Sequence, residues 1–418
     1  MKASTPMRRA VGRIAAATAI GLTGGVLLPA AEKPTAPKTV TRVRTFTAKD
    51  LPSSEAGKSA WEPANGDKWA YDIALHGRWV YAASAPARSL IRFQLDPATG
   101  DLAYKGAIPI EAKDKESGGA VLHVRRLPGG ELLYVFFSTH HETSLLCYAV
   151  NDKTGGLALR GKGDLRIFPN NDVGGGYGYP AFVWSPDQAR LYYVGVKKIV
   201  WYTFKDDGIP AREGKGIACT NPGKAGRGRG HAALSPDGRH LYTLVEKMVP
   251  AGTVFWQADV YDCDPKTGKL TFNSTLDLPD LPRECAEIMG FGPDDKVLYV
   301  IDERAKCSYA LRRDAARGTL SILTSGKPDP SMYGIGGPPW SRGGKFAISS
   351  DGKTGYYLGR RAFGSFAVDP ATGAFSGFSS IGGGWAHLAH DAARGCLFLV
   401  GGRGISAFKT SREQAPSR

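Results

Sequence analysis

Short apolar runs alternate with glycine- and proline-containing turns along most of the chain. The stretch SPDGRHLYTL (Ser235–Leu244) joins a Pro/Asp/Gly turn to a run with alternating aromatic residues, and an apolar run precedes it, which is typical of a β-hairpin. No window shows a sustained 3.6-residue apolar period, so helical repeats are excluded. Related units recur at Leu75–Ala83, Leu127–Phe136, Ser185–Val194, Gly292–Ile301, Ser349–Leu358 and His390–Leu399.

A second repeated turn follows most of these units and separates two further strand-like runs. Each unit therefore contains four strands, and the units recur about every 50 residues, which is near the period of β-propeller blades. The pattern predicts an all-β protein, a seven-bladed β-propeller of four-stranded antiparallel blades, with six or eight blades as the alternative count. The copies of the second turn are DPATG at Asp96, NDKTG at Asn151, KDDG at Lys205, DPKTG at Asp264, DAARG at Asp314 and DPATG at Asp369.

The last unit lacks its fourth strand. RGISAFKT supplies a third strand and a polar tail follows, whereas a lone strand-like run, TVTRVRTFT (Thr39–Thr47), precedes the first unit. Pairing of this run with the last blade would close the ring and leave no open inner edge. We expect the propeller to span residues 39–410, after a linker at 32–38 and before a polar tail at 411–418.

The N-terminus resembles a secretory signal. The basic stretch MKASTPMRRAVGR precedes IAAATAIGLTGGVLLPAA, which is apolar and rich in small residues. We predict a signal peptide at residues 1–31, cleaved near Ala30 or Ala31, with an uncleaved anchor as the alternative. The mature chain is then exported to the periplasm or the extracellular space and keeps no stable membrane span.

The charge balance is basic, because the chain has 54 Lys and Arg against 39 Asp and Glu. This balance favours an acidic small molecule as ligand. No basic run interleaved with aromatic residues occurs, so nucleic acid is not an expected partner. We expect a monomer, although a protein partner stays open.

The six cysteines occur singly, with no CxxC pair. Their spacing therefore does not predict a zinc site. In an exported protein one or two disulfides are open, but the spacing does not pair them.

Three of the eight histidines occupy one counted position in the repeat, five residues before the turn proline or its equivalent. They are His123, His231 and His387, in blades two, four and seven. Because this position begins the innermost strand, we expect them near the mouth of the central channel. Wet, polar channel lining is the alternative interpretation, and a three-histidine metal site is disfavoured because the blades are far apart. The other blades have Ala70, Ala181, Ile288 and Lys345 at the counted position.

The RGH that precedes SPDGRHLYTLVE resembles the inner-strand pattern of the propeller lactonases, which include bacterial 6-phosphogluconolactonase and the fungal 3-carboxy-cis,cis-muconate lactonizing enzyme. The blade repeat extends this resemblance over about residues 60–405. Its specific part comprises Arg229, His231 and Glu246 in blade four, and Glu287 and Arg304 in the stretch CAEIMGFGPDDKVLYVIDER of blade five.

The resemblance implies a metal-independent lactone hydrolase, or an enzyme like the muconate cycloisomerase, without a cofactor. Arg229 and Arg304 would hold an acidic substrate, and His231 and Glu246 would transfer the proton. Such groups suit the chemistry, because a lactone carbonyl needs charge stabilisation as it becomes tetrahedral. A structural ion pair between blades is the alternative role for Glu246 and Arg304.

The sequence departs from the family in blade three, where members usually begin the inner strand with a histidine. Here GGGYGYPAF places Tyr179 near that point, so either His123 takes the role or the activity is lost. We assign His123, His387 and Tyr179 to substrate contacts.

The alternative function is a non-catalytic exported propeller that binds a protein or polysaccharide partner through its loop face. The stretch NNDVGGGYGYP and the segment EKMVPAGTVFWQAD both offer aromatic residues for contact, although Phe255 and Trp256 would equally begin a third strand. Redox chemistry through a bound quinone or haem has no support, because no CxxCH motif occurs.

Overall fold

The computed structural model divides into two units, Met1–Lys33 and Pro34–Arg418. The predicted signal, linker and C-terminal tail lie outside the described residues. The structure describes residues 40–46, 71–84, 89–110, 120–127, 130–138, 143–165, 181–195, 198–204, 208–210, 215–218, 232–248, 254–282, 286–302, 307–326, 345–358, 363–382, 387–391, 394–401 and 404–410.

The described residues form seven four-stranded antiparallel sheets and contain no helix, so the predicted all-β seven-bladed propeller is confirmed. The N-terminal strand, β1, is Val40–Phe46. The strands of blades one to three are β2 Tyr71–His76, β3 Trp79–Ser84, β4 Ser89–Leu95, β5 Leu102–Pro109, β6 Ala120–Leu127, β7 Gly130–Ser138, β8 Thr143–Val150, β9 Leu157–Leu165, β10 Ala181–Trp184, β11 Arg190–Val194, β12 Lys198–Thr203 and β13 Lys215–Ala218.

Blades four to six also follow chain order, and blade seven combines the last three strands with β1. The strands are β14 Ala232–Leu234, β15 His240–Met248, β16 Val254–Cys263, β17 Leu270–Pro282, β18 Ala286–Phe291, β19 Val297–Asp302, β20 Cys307–Arg313, β21 Leu320–Gly326, β22 Lys345–Ile348, β23 Thr354–Leu358, β24 Phe363–Val368, β25 Phe375–Gly382, β26 His387–Asp391, β27 Cys396–Gly401 and β28 Gly404–Thr410.

Strand β1 completes blade seven, as the sequence predicts. It pairs antiparallel with β28, from Val40 opposite Thr410 to Phe46 opposite Ile405. The N-terminal strand therefore supplies the outermost strand of the last blade.

Each junction between neighbouring blades has its own buried apolar cluster, and together the clusters form a closed ring. The cluster that joins blade seven to blade one includes Phe398, Val400, Val80 and Ile91, each at most 1% exposed. Burial of such side chains contributes roughly 1.5–3 kcal/mol apiece. The apolar face of every strand thus stabilises both its own blade and the next one.

We call the end of the blades with the repeated turns the lower end, and the opposite end the upper end. At the lower end, a second-strand tyrosine donates a hydrogen bond to a glycine carbonyl of the next blade. The Tyr242 hydroxyl is 2.9 Å from the Gly318 carbonyl oxygen, and Tyr81 and Tyr134 make equivalent bonds to Gly155 and Gly208. The turn sequences predicted the turns, but not this bond between blades.

Glycine is required at these turns for two reasons. Gly318 has a φ of +74°, a region that other residues rarely adopt. A Cβ atom there would lie 2.1 Å from Cδ2 of His240. The turn therefore fits against the neighbouring blade only without a side chain.

The two longest described strands, β16 and β17, belong to blade four. Its second and third strands pair over nine positions, from His240 opposite Asp262 to Met248 opposite Val254. The corresponding strands of blade three pair only from Arg190 to Val194. We call Leu244–Met248, with its partners on β16, the blade-four extension.

Three of the six cysteines, Cys147, Cys263 and Cys396, are buried free thiols. Burial raises the pKa of Cys263 to about 12, so this thiol is unreactive at neutral pH. Any disulfide in this protein therefore joins two of the remaining three cysteines, Cys219, Cys285 and Cys307.

Candidate functional site

The residues predicted for catalysis lie on, or adjoin in the sequence, the first two strands of blades four and five. Arg229 and His231 immediately precede β14, and Arg304 follows β19 by two positions. All three lie outside the described residues, as does Tyr179 before β10. In an antiparallel blade the first strand begins, and the second ends, at the same end. The start of β14 and the end of β19, which adjoin these residues in the sequence, therefore lie at the upper end.

Glu246 and Glu287 lie on described strands. Glu246 is opposite Trp256 within the blade-four extension, and Glu287 is opposite Ile301 near the start of β18. Each lies close to the upper end of its strand.

The two glutamates are also at a similar level across the junction of blades four and five. Tyr242 packs edge-on against Phe291, with ring centroids 5.5 Å apart. Glu246 lies four pairing positions above Tyr242, whereas the β-bulge in β18 leaves Glu287 three positions above Phe291, a difference of about 3 Å along the strands. Their backbones are therefore at similar heights in the two neighbouring blades.

Strand register corrects the position predicted for His123. His387 lies opposite Val400, which is equivalent to Ala181 opposite Val194 in blade three. His123 instead lies opposite Tyr134, two residues nearer the lower end. The reason is the hairpin of blade two, where Leu127 already pairs with Gly130, so an equal count from the proline gives an unequal height.

Register also corrects the counted positions in blades one and five. A β-bulge between Ile288 and Gly290 shifts β18, and Glu287 rather than Ile288 takes the level of His387. In blade one, Asp72 opposite Ala83 takes this level, whereas the counted residue, Ala70, lies outside the described residues.

Asp72 is an acidic residue that counting along the sequence missed. It is 3% exposed and its Oδ1 accepts a hydrogen bond from the Ile73 amide at 2.8 Å. Its blade has a short hairpin, with His76 paired to Trp79, so the strand starts later than the proline-based count assumes. Only the length of that hairpin in the sequence HGRW could have indicated the shift.

His123 packs against an aromatic residue of the next blade. Its imidazole stacks on the Trp184 indole, with centroids 4.5 Å apart and an 11° angle between the rings. Trp184 in turn packs on Tyr134 and Phe204. The side chain is partly buried at this junction, and the stack gives it a packing role there.

Trp256 is not available to a partner. The tryptophan is 1% exposed in the core between blades four and five, and Phe255 is half-buried beside it in β16. Both residues belong to an ordinary third strand, so the aromatic contact surface predicted for this segment is wrong for Trp256. The stretch NNDVGGGYGYP lies outside the described residues.

Charged groups at the lower end form a structural network. The Arg313 guanidinium donates hydrogen bonds to Asp237 at 2.5 Å and to the Tyr242 hydroxyl at 3.0 Å. Burial would raise the pKa of Asp237, but bonds from Ser235 and Arg313 outweigh it and lower the pKa to about 2. The pKa of His240 is lowered, first by burial and then by the Arg313 charge. These groups join blades four and five away from the predicted site.

The described part of the chain has neither a cluster of metal-ligating side chains nor a membrane-spanning helix. No group of three or more His, Cys, Asp or Glu side chains there is arranged to hold a metal ion. The same residues include no apolar helix long enough to cross a membrane.

Solved structures with the same fold include proteins described as lactonases. A candidate 6-phosphogluconolactonase from Bacteroides fragilis is 15% identical, with 81% of this chain and 89% of that chain covered and a TM-score of 0.53. A periplasmic gluconolactonase from Pseudomonas aeruginosa is 18% identical, with 82% and 94% covered and a TM-score of 0.53. No family model and no curated protein matches the sequence. The predicted resemblance is thus confirmed for the fold.

The same architecture also occurs in a protein with another activity. Kuenenia stuttgartiensis hydrazine synthase is 11% identical, with 84% of this chain and 100% of that chain covered and a TM-score of 0.50. At such identities the fold alone is shared. The function must therefore be argued from the residues of this chain.

Proposed function

We propose that the protein is a lactonase-like propeller that hydrolyses a small acidic lactone at its upper end. The observation that carries the proposal is that Glu246 and Glu287 lie near the upper ends of strands in two neighbouring blades. In the sequence, Arg229 and His231 adjoin β14 of blade four, and Arg304 adjoins β19 of blade five.

The proposed reaction adds water to the lactone carbonyl and opens the ring to a hydroxy acid. Glu246 or His231 removes a proton from the attacking water, and the proton is returned to the ring oxygen as the C–O bond breaks. Arg229 and Arg304 bind the substrate's acidic group and stabilise the oxyanion. This assignment uses only side chains of the protein, and the basic net charge of +15 favours the approach of an anion.

Hydrolysis of a panel of acidic and neutral lactones, followed by pH-stat titration, tests the proposal. We expect turnover of an acidic lactone by the mature chain and at least a 100-fold loss in Glu246→Gln and in His231→Ala. Asp277→Asn, an exposed carboxylate on β17 of the same blade, is the matched control and should keep its rate. Absence of turnover above buffer on every lactone would reject the proposal.

The second candidate function is binding of a protein or polysaccharide partner through the upper end. The blade-four extension favours it, because Met248 and Val254 carry this sheet beyond the paired strands of the neighbouring blade three. A partner that binds equally well to Glu246→Gln and the unaltered protein, without turnover, would support this alternative. Export likewise stays a proposal, tested by the N-terminal sequence of protein recovered outside the cytoplasm.

A further inference from the structure

Blade four contains a polar rung across three strands, which is buried at its first two members and exposed at Thr275. Thr243, Asp259 and Thr275 lie directly opposite one another on β15, β16 and β17. Asp259 has no exposed surface and Thr243 is 1% exposed. The Asp259 carboxylate accepts hydrogen bonds from Thr275 Oγ1 at 2.5 Å and from Gln257 Nε2 at 2.7 Å. The bond from Thr275 links β16 to β17, and β15 joins the rung through its backbone pairing with β16, with Thr243 packed opposite Asp259.

No other blade has a charged residue at the position of Asp259. Burying a carboxylate costs several kcal/mol before its hydrogen bonds are counted. Apolar or small side chains suffice to pack the same place elsewhere, so packing alone does not require the aspartate. The equivalent residues are Ile91, Leu146, Val200, Tyr309, Gly364 and Ser406.

The rung lies at the base of the blade-four extension. Thr243 is the last residue of β15 that pairs with the described part of β14, where it lies opposite Ala232. Above it, Leu244–Met248 pair with β16 on the other side. The position of this segment therefore depends on how firmly β16 and β17 are held beneath it.

We propose that Asp259 is a positioning residue, which fixes the upper part of β15 and with it Glu246. The inference rests on the proposed function for its catalytic consequence. Gln257 continues the network two positions higher on the same face of the sheet, opposite Val245, the residue next to Glu246. Hydrogen bonds are more directional than apolar contacts, so those from Gln257 and Thr275 to Asp259 favour one register of the strands beneath the extension.

Hydrogen exchange of native protein tests the positional part without relying on activity. In Thr275→Val, which removes one donor at nearly constant volume, amides of Leu244–Met248 should exchange about tenfold faster, with blade seven unchanged. Thr275→Ser keeps the hydroxyl and should restore slow exchange. Asp259→Asn serves as a second variant if Thr275→Val does not fold. The control is Ser406→Ala, at the equivalent position of blade seven.

Kinetics on an acidic lactone tests the catalytic part. A displaced Glu246 should lower kcat about tenfold in Thr275→Val while KM changes less than about twofold, and Thr275→Ser should recover kcat. Unchanged exchange in Leu244–Met248, or equal acceleration in all blades, would overturn the positioning role. If the unaltered protein shows no turnover but Thr275→Val still loosens this segment alone, the lactonase proposal fails and the positioning of β15 stands.

Discussion

Blades three and four are alike at the lower end and different at the upper end. Both begin their first hairpin with Ser-Pro-Asp, and in both the second-strand tyrosine, Tyr192 or Tyr242, donates to a glycine carbonyl of the next blade. Higher up, the rung of blade three is Tyr193, Val200 and Gly216, without a carboxylate. The lower end thus follows the repeat, and the upper end carries what is particular to each blade.

The lower end joins neighbouring blades, and the upper end contains the departures from the repeat. Turns and inter-blade bonds recur because every blade must join its neighbour in the same way. The buried Asp259 and the long strands β16 and β17 depart from this repeat, and we propose that they serve the function of blade four. Departures from the repeat are therefore the best guide to function in this molecule.

The largest loss of stability is expected when the buried carboxylate of blade four is introduced at the equivalent position of blade three. Val200 is 1% exposed, and Val200→Asp would bury an acid among apolar side chains without the amide and hydroxyl donors of blade four. We expect a loss of about 4 kcal/mol in the free energy of unfolding, measured in urea. Val200→Thr is the control with similar volume. A loss below about 1 kcal/mol would show that blade three accepts the acid and that Asp259 is not special.

The shared lower end is tested by Gly318→Ala. The new Cβ atom would meet His240 in a backbone conformation that alanine resists, so we expect a loss of about 3 kcal/mol. Gly77→Ala is the control, because Gly77 also has positive φ, +51°, but nothing lies within 4 Å of its Cβ position. Thermal unfolding measures both variants, and Gly77→Ala should lose only about 1 kcal/mol in the free energy of unfolding. Equal losses would mean that contact with the next blade is unimportant.

The smallest effect concerns the pH dependence of the ion pair at the lower end of blade four. Because the pKa of Asp237 is lowered from 3.8 to about 2, its contribution to stability is present above pH 3.8 and is lost as the pH falls toward 2. The carboxylate is 35% exposed, so solvent screening limits the contribution to about 1 kcal/mol.

Thermal unfolding of Asp237→Asn and the unaltered protein at several pH values measures this contribution. The variant should be less stable near neutral pH, and the difference should disappear below about pH 2. A difference that is constant with pH would assign the effect to packing and not to charge. Asp294→Asn, on an exposed turn of blade five, is the control.

The sequence predicts features that depend on local turn chemistry. Gly, Pro and Asp at fixed offsets gave the hairpins, and their number gave the seven blades. The isolated run at Thr39–Thr47 predicted β1, because the last unit of the repeat has only three strands of its own. Glu246 and Glu287 were chosen from the resemblance to the propeller lactonases and not from the repeat itself.

Features that depend on register were beyond the sequence. One bulge in β18 and the shorter hairpins of blades one and two changed the residue at a given height, which displaced His123 and concealed Asp72. Asp259 also lies opposite Thr243 and Thr275, which are 16 residues away on either side, and accepts a hydrogen bond from Thr275. Such pairs become neighbours only after two turns have set the register.

The pairing of β1 with β28 also sets the order in which the molecule can be completed during its synthesis. Blades one to six are each encoded by one continuous stretch, so each has all its strands soon after translation passes it. Blade seven must wait, because Val40 is made before blades one to six and its partner Thr410 after them. Until then the nascent chain is an open arc, and ring closure comes as a single late event that joins its two ends.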